Sequence, residues 1–205
     1  MSELDPRPGD CLLVIDVQND FCAGGALAVP DGDAVVAPIN ALMARFEHVV
    51  LTQDWHPAGH SSFASEHTGR TPYEVIEMDY GPQTLWPDHC IRGSVGARFH
   101  PELELGPARM AIRKGFRHAI DSYSAFREND RNTSTGLAGY LHEAGTTRVV
   151  CVGLALDFCV RYSAEDARAA GFDCVVVESA CRGIDLAGSV AAARTAMRDV
   201  GVVLG

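Results

Sequence analysis

Residues Cys11 to Asp16 read Cys-Leu-Leu-Val-Ile-Asp, an unbroken apolar run that ends in a carboxylate. A strand with one face in water alternates apolar and polar side chains, so a continuous run of this length predicts a strand buried on both faces. That restricts the chain to a sheet covered by helices on either side. The same pattern recurs at His48–Thr52, Ala108–Arg113, Arg148–Val152, Asp173–Val177 and Val200–Leu204. Helical spacing fills several of the intervals. Asp31-Gly32-Asp33 offers a cap, after which Val35, Ile39, Leu42, Met43 and Phe46 fall on one helical face. Thr135–Glu143, Cys159–Ala170 and Leu186–Arg198 also read as helices. Strands and helices alternating in this way imply right-handed crossovers. The expected fold is α/β, a three-layer sandwich with a mostly parallel six-stranded sheet and helices on both faces.

The chain has 205 residues and is 47% hydrophobic, enough for a single domain over residues 1–205 with a sizeable core. From Trp55 to about Pro107 the periodicity gives way to Pro, Gly, His and Ser. So long an irregular stretch inside a compact domain predicts a functional insertion. A formal charge of -10 argues against a nucleic-acid or anionic-membrane partner, which would repel most of the surface. Met1–Asp10 is polar and carries two prolines, with no signal-peptide core, and no apolar run reaches membrane-spanning length. The expected location is cytoplasmic. Seven cysteines without a C-x-x-C pair read as reduced thiols. There is no dinucleotide glycine fingerprint, phosphate-binding P-loop or G-x-S-x-G elbow, so a Rossmann oxidoreductase, an NTPase and a serine α/β-hydrolase all lose support.

In a parallel sheet, ligands bind beyond the carboxyl ends of the strands. Asp16, Asp54, Lys114 and the turn leading to Cys159 each end a different predicted strand, so all four groups should meet at one edge. Val149–Gly153 is a strand rising to a glycine, followed by a short kink, and Cys159 then opens a helix. The unpaired N–H groups and positive dipole of a helix start favour a thiolate and can hold an oxyanion. Taken alone, a free cysteine is more often a small buried hydrophobe. With Asp16 to take a proton and Lys114 to lower the cost of the thiolate, Cys159 becomes a candidate nucleophile.

Asp54 and His56 stand at i and i+2, pointing the same way from an extended backbone. Two ligands from one short segment invite a third from His60 or His89. A carboxylate with imidazoles suits zinc, iron or manganese and does not decide among them. His67, His100, His118 and His142, with His48 at a strand start, read as surface residues. Phe21, Trp55, Phe63, Trp86, Tyr123 and Phe158 flank the polar groups and offer walls for a planar substrate.

The segments Asp16 to Phe21, Gln53 to His56, Trp86 to Cys90, Arg113 to Gly115, Asp121 to Phe126 and Gly153 to Val160 together resemble the bacterial nicotinamidases (pyrazinamidases) of the isochorismatase-like hydrolase family. The resemblance spans nearly the whole chain in order. It implies a metal-dependent amidohydrolase that converts nicotinamide, and by extension pyrazinamide, to the acid and ammonia through a cysteine thioester. It makes Asp16, Lys114 and Cys159 the catalytic triad, and the N–H groups of Ala155 and Cys159 an oxyanion hole beside a cis peptide at Leu154-Ala155. Asp54, His56 and His89 become ligands of one divalent ion, zinc first, with iron or manganese as alternatives. His60 matches a position that is a ligand in some members. The ring would lie among Phe21, Trp86, Tyr123 and Phe158, and residues 55–107 become a metal-binding insertion. The chain departs from the usual Ala-Thr-Asp turn by having Leu156, which removes a hydroxyl. Still open are another isochorismatase-like amidase, a non-catalytic metal or small-molecule binding protein, and whether the chain forms a homo-oligomer.

Overall fold

Strand β1 (Asp10–Ile15) is buried at every residue, as its apolar run requires. In the computed structural model, which describes residues 5–205, β1 lies near the middle of the sheet. On one side it pairs with β2 (Val49–Asp54), which pairs with β5 (Met110–Lys114). On the other it pairs with β6 (Arg148–Leu154), followed by β7 (Asp173–Arg182) and β8 (Val203–Leu204). The order is β5-β2-β1-β6-β7-β8, with every pairing parallel. The chain therefore winds outward in opposite directions from β1 and from β6. Their carboxyl ends flank the switch point, where such sheets form a crevice.

Alternation along β1 divides the core in two. Leu12 and Val14 face the side covered by α1 (Val36–Met43), packing with Ile39 and Met43. Cys11, Leu13 and Ile15 face the side covered by α2 (Leu137–Glu143), α3 (Arg161–Ala169) and α4 (Ser189–Asp199). Small residues Ala164, Ala167 and Ala193 on that side let helices approach the sheet closely. The three-layer arrangement matches the expectation, and its six sheet strands occur in the six places foreseen.

The element ends differ in informative ways. Strand β7 runs on to Arg182, because Cys181 and Arg182 pair with Gly153 and Leu154 after a register shift, although Glu178 and Ser179 break the apolar run. Strand β8 is reduced to two residues, since Val200 closes α4 and Gly201 turns with φ +81°. Asp31 does not cap the first helix. It is left-handed with no side-chain cap bond, and a 3-10 turn, Gly32–Val35, precedes α1. Within the insertion an unforeseen antiparallel hairpin joins β3 (Val75–Met78) to β4 (Gly81–Thr84), and Ala64–Glu66 forms a 3-10 turn. The hairpin is mostly half-buried or exposed, and its single buried side chain is the polar Gln83, so it carries no apolar alternation to betray it. Among the described residues no helix is long and apolar enough to cross a membrane.

Candidate active site

The carboxyl ends of β5, β2, β1 and β6 lie side by side, and each delivers one group. Asp16 turns left-handed at φ +49° as β1 ends. Thr52 of β2 holds it there: the Asp16 N–H donates to Thr52 Oγ1 at 3.1 Å, and that hydroxyl donates to Asp16 Oδ1 at 2.6 Å. Lys114 ends β5 and is fully buried, while Arg113 points outward over Trp55. Lys114 Nζ lies 2.8 Å from Asp16 Oδ2, 2.6 Å from Asp54 Oδ1, 2.8 Å from the Ser122 carbonyl and 3.4 Å from Cys159 Sγ. Burial alone would neutralise an ammonium, but the carboxylates of Asp16 and Asp54 hold Lys114 well above its ordinary pKa.

Cys159 reaches this cluster because β6 can press against β1. A Cβ at Gly153, whose φ is +117°, would stand 2.1 Å from the Ile15 carbonyl oxygen. The Leu154-Ala155 peptide is cis, as the resemblance implied. The Ala155 carbonyl accepts the N–H groups of Phe158 and Val160 at 3.1 Å each. A wide π-type turn over Leu156–Val160 then leads into α3. Cys159 thus sits inside that turn and does not open the helix itself. Its thiol is pushed well above the ordinary value by burial, with Asp16 and Asp54 adding to the rise and Lys114 opposing it. The expectation of a resting thiolate is corrected accordingly: two carboxylates and burial outweigh one ammonium. Asp16 is itself raised by burial and Asp54 against the pull of Lys114, which makes it a better proton acceptor than an ordinary aspartate. Leu156 packs in the apolar core, so here the turn is closed by burial where a hydroxyl is usual.

Asp54 also faces a second cluster. Its Oδ2 lies 3.5 Å from His56 Nε2 and 3.8 Å from His89 Nε2. His56 Nδ1 pairs with the Gly115 carbonyl at 2.9 Å and His89 Nδ1 with the Pro87 carbonyl at 2.8 Å. A carbonyl accepts only from a protonated nitrogen, so both rings carry a proton on Nδ1 and turn Nε2 toward Asp54 as the nitrogen available to a ligand. His56 Nε2 is buried without a hydrogen-bond partner. An orphaned imidazole nitrogen beside a second imidazole and a carboxylate is what a divalent ion would satisfy, and the three donor atoms lie within 4.8 Å of one another. His60 is oriented otherwise. Its Nε2 pairs with the carbonyls of Arg117 at 2.9 Å and Ile120 at 3.3 Å, and its Nδ1 with Ser62 Oγ at 2.7 Å. Both nitrogens are engaged, and burial with His56 lowers its pKa to about 4. His60 groups with His56 and Asp121, apart from the Asp54, His56 and His89 set.

Between the clusters is a pocket lined by Phe21, Trp86, Tyr123, Phe158, Ala155 and Cys159, with Asp54 and His89 at its polar end. Phe158 meets Trp86 edge-on at 4.9 Å and Tyr123 at 5.6 Å. Among the described residues, the N–H groups of Ala155 and Cys159 donate to no backbone carbonyl outside the turn. Phe63 does not line this pocket; it packs on the rings of His56, His60 and His89. Leu27, Asp121 and Ile184 complete the wall, and sequence reasoning missed all three. It also missed Asp157, whose carboxylate accepts from the N–H groups of Ile184 at 3.0 Å and Asp185 at 2.8 Å. His48 is buried against the Tyr140 hydroxyl and His100 contacts Asp33, so neither is the plain surface residue expected.

Comparison with known proteins agrees with this geometry. The isochorismatase domain model matches residues 10–205. The nicotinamidase of Acinetobacter baylyi is 53% identical over 179 residues, covering 87% of this chain and 84% of that protein. The solved nicotinamidase/pyrazinamidase of Acinetobacter baumanii superposes with a TM-score of 0.96 at 54% identity, covering 97% and 96% of the two chains. The L. infantum PnC1 structure in complex with nicotinate matches with a TM-score of 0.83 at 42% identity, over 96% of this chain and 91% of that one. A family model spanning almost the entire sequence, on a fold whose strand ends converge as described, places the chain in the isochorismatase family.

Proposed function

We propose that this chain is a nicotinamidase, hydrolysing nicotinamide to nicotinate and ammonia through a thioester on Cys159, and pyrazinamide by the same route. The observation that carries the reading is Lys114, whose ammonium stands 2.8 Å from Asp16 Oδ2 and 3.4 Å from the Sγ of Cys159, which lines an aromatic pocket. Asp16 takes the thiol proton as the sulfur attacks the carboxamide carbon. Lys114 remains protonated and offsets the charge that the sulfur and then Asp16 carry. The N–H groups of Ala155 and Cys159 receive the carbonyl oxygen as it becomes negative. Asp16 next gives its proton to the leaving nitrogen, the C–N bond breaks and ammonia departs. Water then gives a proton to Asp16 and its oxygen to the acyl carbon, and the sulfur leaves with that proton restored. The two half-reactions use the same residues in opposite order.

Asp54, His56 and His89 fit a divalent ion, and when bound it would supply an electrophilic anchor for the ring nitrogen. A carboxylate and two imidazoles are compatible with zinc, iron and manganese, and the similar pyrazinamidase of Pyrococcus horikoshii, solved in complex with zinc, puts zinc first. His56 and His89 both belong to residues 55–107, which we read as the metal-binding insertion of a single domain. Seven unpaired cysteines support a reducing, cytoplasmic setting. The test is ammonia release from nicotinamide by purified protein, before and after chelation, with Cys159→Ala alongside. Turnover that is lost in Cys159→Ala is expected; turnover that survives it removes the thioester.

A further inference from the structure

The loop from Asp20 to Val29 has two sides. The inner side gives Phe21 and Leu27 to the pocket. The outer side borders a separate, open cavity lined by Cys22, Asp33 and His100. The Cys22 sulfur, an Asp33 carboxylate oxygen and a His100 ring nitrogen all lie within 4.8 Å of one another. None of the three belongs to the catalytic trio or to the Asp54 cluster.

We propose that Cys22, Asp33 and His100 form a second divalent-metal site, suited to zinc, that clips this loop to the segment carrying His100. A thiolate, a carboxylate and an imidazole are all ligands of this borderline-soft ion, and the open cavity leaves its fourth position to water. Two of the donors already have the required spacing. His100 Nε2 is 3.2 Å from Asp33 Oδ1, and two N/O ligands of one tetrahedral zinc lie roughly 3.3 Å apart. The sulfur lies within 4.8 Å of both, so an approach of at most about 1 Å completes the set. Asp33 is fixed for the task, since its Oδ2 accepts the Ala23 N–H at 2.8 Å and its Oδ1 is the oxygen turned to His100.

The proton balance is simple. His100 Nδ1 accepts the Glu102 N–H at 3.2 Å, so the ring proton is on Nε2 and is donated to Asp33. On metal binding through Nε2 that proton moves to Nδ1, and the Glu102 N–H, at an exposed residue, turns to water. The Cys22 thiol loses its proton to solvent, so one proton leaves per ion bound and nothing is oxidised. The cost is two hydrogen bonds of His100, each 3.2 Å long, and the deprotonation of a thiol that burial and Asp33 push up to about 11. The gain reaches the pocket: the Leu27 N–H donates to the Asp20 carbonyl, the Val29 N–H to the Phe21 carbonyl, and Asp20 Oδ2 accepts the Cys90 N–H next to His89. An ion at Cys22 thus ties down the loop that walls the substrate.

The test titrates zinc into the holoenzyme and counts bound metal by elemental analysis after gel filtration. Two ions per chain are expected in the unaltered protein, and one in Cys22→Ala and in His100→Gln with amide hydrolysis retained. His56→Ala removes the other ion, so failure of the Asp54 cluster and failure of this site are read separately. Cobalt adds a signature, because the Asp54 cluster contains no sulfur. In a Cys159→Ala background a thiolate-to-cobalt charge-transfer band is expected, and it should vanish on adding Cys22→Ala. Cys22 is buried, and if its replacement fails to fold, the more exposed His100→Gln still decides the count. A chain that binds no ion beyond the one His56→Ala removes overturns the site, as does an extra ion that persists in His100→Gln.

Discussion

One oxygen of Asp54 lies 2.6 Å from Lys114 Nζ, while its other oxygen faces the Nε2 atoms of His56 and His89. A single carboxylate therefore touches both the proposed catalytic lysine and the proposed metal ligands. Its charge keeps Lys114 protonated and raises the Cys159 thiol. Asp54→Asn preserves the shape and removes the charge, so metal occupancy and turnover should both fall. The thiol should respond in the opposite sense. In chelated protein, alkylation of Cys159 near neutral pH is expected to be faster in Asp54→Asn than in the unaltered chain, by about threefold for each pKa unit the thiol drops, because the gain in thiolate is partly offset by its lower nucleophilicity. Equal or slower alkylation would show that Asp54 does not act on the sulfur.

Thr52 acts on Asp16, the proposed proton acceptor. Its hydroxyl donates to Asp16 Oδ1 at 2.6 Å and favours the ionised form, opposing the rise caused by burial. Thr52→Val removes that donor, so Asp16 should titrate at higher pH. Because the reaction needs Asp16 ionised, the acidic limb of kcat/KM is expected to move toward alkaline pH, and Thr52→Ser should restore it. The variant also strands the buried Asp16 N–H, at a cost of about 1–3 kcal/mol, measurable by denaturant unfolding. An unmoved acidic limb would assign it to another group.

Gly115 supports the metal cluster through its missing side chain. Its φ is +64°, and a Cβ there would stand 2.4 Å from His56 Cε1 and 2.8 Å from His56 Nδ1. Gly115→Ala should swing the imidazole and weaken its bond to the Gly115 carbonyl. The expected loss is about 10–100-fold in metal affinity, the range typical of disturbed ligand support. Alkylation of Cys159 in chelated protein should be unchanged. Metal affinity equal to that of the unaltered chain would mean that His56 need not hold this orientation.

What the sequence revealed follows from range. Asp16, Lys114 and Cys159 were legible because each ends or follows an apolar run, and in a parallel sheet strand ends determine position. The role of Thr52 was hidden because it depends on the lateral pairing of β1 with β2, whose Val14 and Leu51 stand opposite one another. The protonation state of Cys159 was hidden for a related reason: helix-start reasoning considers one segment, whereas the thiol is governed by Asp16, Asp54 and Lys114 from three other strand ends. His60 shows the limit of spacing. It is in the right loop, but the carbonyls of Arg117 and Ile120, some 60 residues away, claim its Nε2. The β3–β4 hairpin lacked a signal because its strands are short and bury no apolar face, Gln83 being their one buried residue.

Asp157 offers the last expectation, since it joins the nucleophile's turn to the far wall of the pocket. Two residues before Cys159, its buried carboxylate accepts the Ile184 N–H on Oδ1 and, on Oδ2, the Asp185 N–H and the Ser189 hydroxyl at 2.5 Å. Ile184 lines the pocket, so the position of that wall relative to the sulfur depends on this clasp. Asparagine has one acceptor oxygen, and its amide would turn N–H groups toward another donor. Asp157→Asn should therefore leave at least one half-buried donor without its acceptor, costing about 1 kcal/mol. For a chain of this size each kcal/mol lowers the melting temperature by roughly 2–4 °C. With Ile184 loosened, KM for nicotinamide should rise by a larger factor than kcat falls, because Asp16, Lys114 and Cys159 keep their contacts with one another. Ser189→Ala, which removes one donor and leaves the two peptide bonds in place, should change both measurements less. A kcat that collapses while KM holds would instead place Asp157 in control of the nucleophile's turn.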